Sequence, residues 1–132
     1  MKELSSKTIA LWHEFVQTQN AEILREILAE NVKFHSPFIW KPKNGKLMAT
    51  AILIAATETF ENFRYIREIS ENNHHALEFE AEVGELTLRG IDLIETNADG
   101  KIVDFEVMVR PANALQRLGM EMTKRLTEKG FI

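Results

Sequence analysis

Apolar residues recur along this chain at two periods, helical in the first sixty positions and alternating in the next fifty. Ile9, Trp12, Phe15 and Val16 fall on one helical stripe with Ser5 or Ser6 as a cap, predicting a helix from about Ser5 to Gln19. Asn20 caps a second, short helix whose apolar face is Ile23, Leu24, Ile27 and Leu28 and which ends near Glu30. Alternation runs from Val32 to Ser36 and stops at Pro37, which cannot continue a ladder in a central strand. Ser36 to Lys46 contains Pro37, Pro42 and Gly45 beside Phe38 and Trp40, the composition of an ordered loop of the kind that borders sites. From Leu47 to Phe60 apolar positions go almost all the way round a helix, which predicts burial as core filler.

Four stretches with strand character follow: Phe63 to Glu71, His75 to Val83, Leu86 to Thr96 and Lys101 to Arg110. Asn72 and Asn73, then Gly84, then the Asn97 to Gly100 segment tolerate positive φ, so each connection can be a tight antiparallel hairpin. Gly90 interrupts its strand, which suggests a bulge or sharp bend. Pro111 ends the last strand, and Leu115, Leu118, Met122 and Leu126 mark a terminal amphipathic helix. The order α-α-β-α-β-β-β-β-α predicts an α+β fold, with helices packed on a strongly curved, mainly antiparallel sheet. Leu77, Phe79, Ala81 and Val83 point to its apolar face. Glu78, Glu80 and Glu82 point away, where Arg64, Arg67 and Arg89 can pair with them across strands.

At 132 residues the chain is the size of a single domain, 1–132. Its formal charge of -4 and the lack of a basic stretch longer than Lys41 to Lys46 argue against a nucleic-acid partner. The longest apolar run, Leu47 to Ala56, falls short of the roughly 20 residues that span a bilayer, so no membrane partner is expected. Met1 to Thr8 is polar, without the apolar core of a signal peptide, and a cytoplasmic location is expected. Thiol chemistry is excluded because there is no cysteine. His13, His35, His74 and His75 lack ligand spacing, and there is no phosphate loop, nucleophile elbow or dinucleotide fingerprint. Neither a metal nor a cofactor is expected.

Three stretches, EILAENVKFHSP from Glu26 to Pro37, GIDLIETNADGKI from Gly90 to Ile102 and DFEVMVRP from Asp104 to Pro111, together with the order of elements, resemble the nuclear transport factor two-like superfamily. The resemblance is to its SnoaL-like and ketosteroid-isomerase-like members and covers Trp12 to Met122. It implies a conical pocket between curved sheet and helices. It also implies three positions for chemistry: the acid before the proline ending the first strand, a tyrosine on the first helix and an aspartate midway along a long strand. Those positions hold Ser36, Trp12 and Asp92 here. Only Asp92 keeps the family chemistry.

Ser36 has no activating neighbour to make it a base, and a strand-end hydroxyl bonded to backbone is the competing reading. Alternation turns His35 away from Val32, Phe34 and Ser36, so His35 serves as a base only if the strand kinks before Pro37. Asp92 falls in an otherwise apolar row with Leu86, Leu88, Gly90 and Ile94, which biases its carboxyl toward the neutral, hydrogen-donating form. With the Trp12 indole N–H it can hold a ligand carbonyl, or it can simply bond Trp12, a helix end or a buried water. Arg110 either clamps an anionic group at the pocket mouth or forms a structural ion pair with Glu106, Asp104 or the last helix. Phe34, Tyr65, Leu77, Phe79 and Phe105, with Trp40 from the loop, are the expected lining.

Three functions compete. The first is a binder of a small apolar molecule with a carbonyl or hydroxyl. The second is an isomerase- or cyclase-like enzyme with Asp92 as acid and His35 or a water as base, and the third is an interaction module whose pocket is closed. A homodimer is expected, packed through the outer sheet face and an incompletely buried stripe on the last helix.

Overall fold

The computed structural model describes residues 2–132. Among these the order is α1 (Lys2–Thr18), α2 (Ala21–Ile27), β1 (Leu28–His35), β2 (Lys43–Asn44), α3 (Lys46–Thr59), β3 (Glu61–Glu71), β4 (His74–Val83), β5 (Leu86–Thr96), β6 (Ile102–Arg110) and α4 (Ala112–Glu128). The strands form one sheet in the order β2-β1-β6-β5-β4-β3. It is antiparallel throughout except where β1 runs parallel to β6. The α+β architecture is the one the periodicities predict.

Asn20 caps α2 as expected, its Oδ1 accepting from the Glu22 amide at 3.1 Å. α2 stops at Ile27, however, and Leu28 to Glu30 already belong to β1, because Leu28 takes an extended conformation that ends the helix. Ser5 is not a cap. It lies inside α1, buried, with its Oγ 2.5 Å from His75 Nε2 and accepting from Thr96 Oγ1 at 2.9 Å. Ser70 Oγ contacts His75 Nδ1 at 2.7 Å, so this buried polar cluster is internally satisfied. Burial, then the neighbouring His74, holds the His75 pKa below the ordinary histidine value.

The inner face of the sheet carries His75, Leu77, Phe79, Ala81 and Val83 of β4, in register with Ile94, Asp92, Gly90, Leu88 and Leu86 of β5. Helices cover this face. Phe15, Leu24, Leu77, Phe105 and Leu118 are almost wholly buried there, each contributing roughly 1.5–3 kcal/mol relative to exposure. The stripe on α4 is absorbed more completely than expected: Leu118, Met122 and Leu126 are buried and Leu115 partly so. On the outer face Arg67 Nε lies 2.5 Å from Glu78, Arg89 2.7 Å from Glu80, and Arg64 also pairs with Glu80.

The register shifts, between Glu61 and Arg64, between Tyr65 and Arg67, between Leu28 and Lys33 and at Glu95–Thr96, are the irregularities that accompany the sheet's bending. Gly90 is not among them. Its pairing with Phe79 and Val109 is regular, and its lack of a side chain serves another purpose: a Cβ there would lie 2.3 Å from Phe79 Cζ and 2.7 Å from the Met108 carbonyl. The Phe79 ring occupies that space.

Candidate functional site

A partly open cavity of about 40 Å³ lies between the inner sheet face, α3 and α4. That is several times the roughly 10–15 Å³ needed to seat a water. It is far below the roughly 300 Å³ at which sites for drug-sized ligands begin. The sheet supplies Phe79, Asp92 and Val107, while Phe34 and Ser36 come from β1 and its end. Ile52, Leu53 and Ala56 come from α3, and Leu118 and Met122 from α4. Trp12 closes the end nearest α1.

Asp92 is the one carboxylate in this wall, and it is 5% exposed. Trp12 Nε1 donates to Tyr65 Oη at 2.7 Å, and Tyr65 Oη donates to Asp92 Oδ2 at 2.6 Å. An indole nitrogen is a donor only, so the Tyr65 hydroxyl must accept from it and has its proton free for Asp92. Burial raises the Asp92 pKa to about 7, against the Tyr65 hydrogen bond, which favours the ionised form. The Tyr65 phenol is held well above its ordinary value by burial first and by the Asp92 carboxyl second. At neutral pH Asp92 is therefore poised between a form that can donate and one that can only accept.

Of the residues singled out from sequence, Trp12, Phe34, Ser36, Phe79 and Asp92 meet at the cavity. Trp12 does so as a wall, with its N–H committed to Tyr65, so the expected pair of donors to one ligand atom reduces to Asp92. Tyr65 stands behind Asp92. Leu77 and Phe105 are fully buried in the core, where Phe105 packs between Phe34 and Trp12 at centroid distances of 5.8 and 5.0 Å. Ser36 bonds locally, its Oγ accepting weakly from the Phe38 amide at 3.3 Å.

Two placements fail, Arg110 and Trp40, and the strand kink that His35 needs in order to serve as a base is absent. His35 lies on the outer face, Nε2 3.1 Å from Asp104 Oδ2, because β1 pairs regularly with β6 from Lys33 to His35 and alternation carries it away from Phe34. Arg110 also lies on the outer face, opposite Arg89, exposed and without an ion pair among the described residues, so it reaches neither the cavity nor a clamp position. Trp40 is 97% exposed, because the loop that carries it brings no other element over the ring. The walls supplied by α3 belong to the helix whose all-round apolar pattern predicts core filler. Leu53, Ala56, Thr57 and Phe60, at helical spacing, were the available signal.

No family model and no curated protein sequence matches the chain. Among solved structures it is similar to a steroid delta-isomerase from Pseudomonas aeruginosa, with 40% identity, TM-score 0.92 and coverage of 96% of this chain and 93% of that one. An uncharacterized bacterial protein with a cystatin-like fold from Silicibacter pomeroyi is 38% identical, with TM-score 0.86 and coverage of 91% and 85%. A protein from Jannaschia named as a SnoaL-like polyketide cyclase shares the fold at 10% identity, TM-score 0.72, with coverage of 89% and 92%. With two relatives near 40% identity over almost their whole length and the helix-covered curved sheet in common, this chain belongs to the nuclear transport factor two-like, SnoaL-like superfamily.

Proposed function

We propose that this protein binds a small, largely apolar molecule through a single carbonyl or hydroxyl, recognised by Asp92. The reading rests on one observation: an apolar cavity whose wall holds one carboxyl, buried, with a pKa of about 7. In its neutral form Asp92 donates to a carbonyl, and in its ionised form it accepts from a hydroxyl. Tyr65 engages Oδ2 and fixes the carboxyl's orientation, which leaves Oδ1 to address a ligand.

A second reading is that of an isomerase- or cyclase-like enzyme with Asp92 as its acid, and it is favoured by the 40% identity to a protein named a steroid delta-isomerase. Against it stands the wall itself, which offers no histidine or second carboxylate as a base, His35 being bonded to Asp104.

A ligand-stabilisation screen of lipophilic ketones and alcohols, run on wild type, Asp92→Asn and Asp92→Leu, tests both readings. Binding that survives in Asp92→Asn and is lost in Asp92→Leu, without any conversion of a Δ5-3-ketosteroid, supports the binder. Steroid conversion that vanishes in Asp92→Asn supports the enzyme. If no compound stabilises the wild type, both give way to an interaction module with a closed pocket.

A further inference from the structure

The cavity, at about 40 Å³, is too small for a multi-ring or long-chain molecule, yet a larger space adjoins it. A groove of about 230 Å³ lies on the outer side, between the loop after β1, α3 and α4. Ser36, Phe38, Ile52 and Met122 are walls of both spaces. Ile52 and Met122 are fixed on helices and buried. Phe38 is different: it follows Pro37 in a bend outside any helix or strand, and it is 39% exposed. Its aromatic ring is the part of the partition that can turn at little cost, since partly exposed side chains change rotamer rapidly.

The seat of that ring is built by an absence. Gly119 lies in the middle of α4, where glycine is the weakest helix former after proline. A Cβ at position 119 would stand 3.1 Å from Phe38 Cε1, so an alanine there would press on the ring. The glycine makes room for the Phe38 ring beside the helix.

We propose that Phe38 is a gate joining cavity and groove, and that the combined site takes an elongated apolar molecule. Its carbonyl or hydroxyl head sits at Asp92 and its tail passes Phe38 into the groove along α4. This rests on the reading of the cavity as a carbonyl or hydroxyl site. The groove suits such a tail, since Ile39, Met48 and Leu126 form its walls and its polar side chains, Ser36, Lys43 and Thr123, offer no buried charge for a polar tail to meet.

The test uses straight-chain methyl ketones from butanone to decanone, titrated calorimetrically at pH 6, where Asp92 is mostly protonated. In wild type, affinity should rise about fourfold per added methylene through the whole series, beyond the length the cavity alone can seat. Thr123→Trp, at an exposed groove position that leaves the core untouched, should weaken decanone at least tenfold and leave butanone unchanged. Phe38→Ala should speed decanone release, and a release rate equal to that of wild type overturns the gate. An affinity that levels off after the shortest ketones, or a Thr123→Trp variant that treats long and short ketones alike, overturns the gate and leaves the carbonyl site standing. If butanone and every longer ketone fail to bind, the carbonyl reading falls and the gate falls with it.

Discussion

Tyr65 on β3 reaches over the intervening strand β4 to donate its hydroxyl to Asp92 on β5 at 2.6 Å. The same oxygen accepts from Trp12 on α1, so one hydroxyl ties helix to sheet at the place where the carboxyl is buried. Tyr65→Phe removes both bonds at once. It leaves the Trp12 N–H and one carboxyl oxygen without partners, a loss of roughly 1–3 kcal/mol. Because the lost bond favoured the ionised carboxyl, Asp92 should then titrate above about 7. Carbon-13 NMR of the carboxyl carbon reads this directly, and an unchanged or lower midpoint would show that the hydroxyl proton points elsewhere.

Asp92 also sets a pH dependence. Its pKa rises from 3.8 to about 7 on folding, so between these values the folded chain holds a proton that the unfolded chain has released. Stability is therefore lost as pH climbs through that window and stays lost above it. At about 1.4 kcal/mol per pH unit, the ceiling is roughly 4 kcal/mol. Asp92→Asn keeps an acceptor for Tyr65 and cannot ionise, so it should resist urea better than wild type at pH 8, with the gap closing near pH 4. Coincident urea curves at pH 4, 6 and 8 would dismiss the burial argument.

Gly90 is predicted to be intolerant of even one methyl group. Alanine there meets the Phe79 ring at 2.3 Å and an immobile carbonyl of Met108 at 2.7 Å, so the ring must move into the cavity it now lines. Overpacking of this kind costs roughly 1–3 kcal/mol. The urea midpoint should fall, and ligands that stabilise the wild type should lose their effect. A variant as stable as wild type would mean that the strand yields instead.

We propose that the protein is a homodimer through its outer sheet face. The acidic row of Glu78 and Glu80 is already neutralised by Arg64, Arg67 and Arg89 of the same chain, so charge is a poor source of self-complementarity. The apolar side chains left on that face are a better one. Ile69 is 63% and Met108 47% exposed, with Ile91 and Leu93 half-buried between them. Sedimentation at micromolar concentration should give twice the chain mass of 15.2 kDa, and Ile69→Lys with Met108→Lys should return it to the single value. A wild type sedimenting at 15.2 kDa refutes the proposal.

Legibility in the sequence followed periodicity. Asp92 could be placed inward because a period of two groups it with Leu88, Gly90 and Ile94, and the structure keeps that grouping. The same rule turned His35 outward, correctly, from a strand only eight residues long. Trp40 had no period to constrain it, and its aromatic character said nothing about direction. The Trp12–Tyr65–Asp92 chain was out of reach, since it depends on the register of β3 and β5 through the strand between them. The α3 wall was out of reach for another reason: a buried helical stripe looks the same whether it faces atoms or a void. β2, at two residues, is too short to carry any pattern.

The two borders of the sheet bear on how this chain avoids polymerising. A foreign strand seeking exposed amides would find β2 only two residues long, preceded by Lys41 and Pro42, with too few open groups to zip onto. At the opposite border β3 is long, but two register shifts interrupt it, Asn62 adopts a φ of 53°, and Glu61, Arg64, Arg67, Glu68 and Glu71 crowd it with charge. A ribbon of amyloid-like copies has no straight, neutral template on either side. Growth by strand addition is thus frustrated at both ends of the sheet, and contacts between copies are steered toward its broad faces.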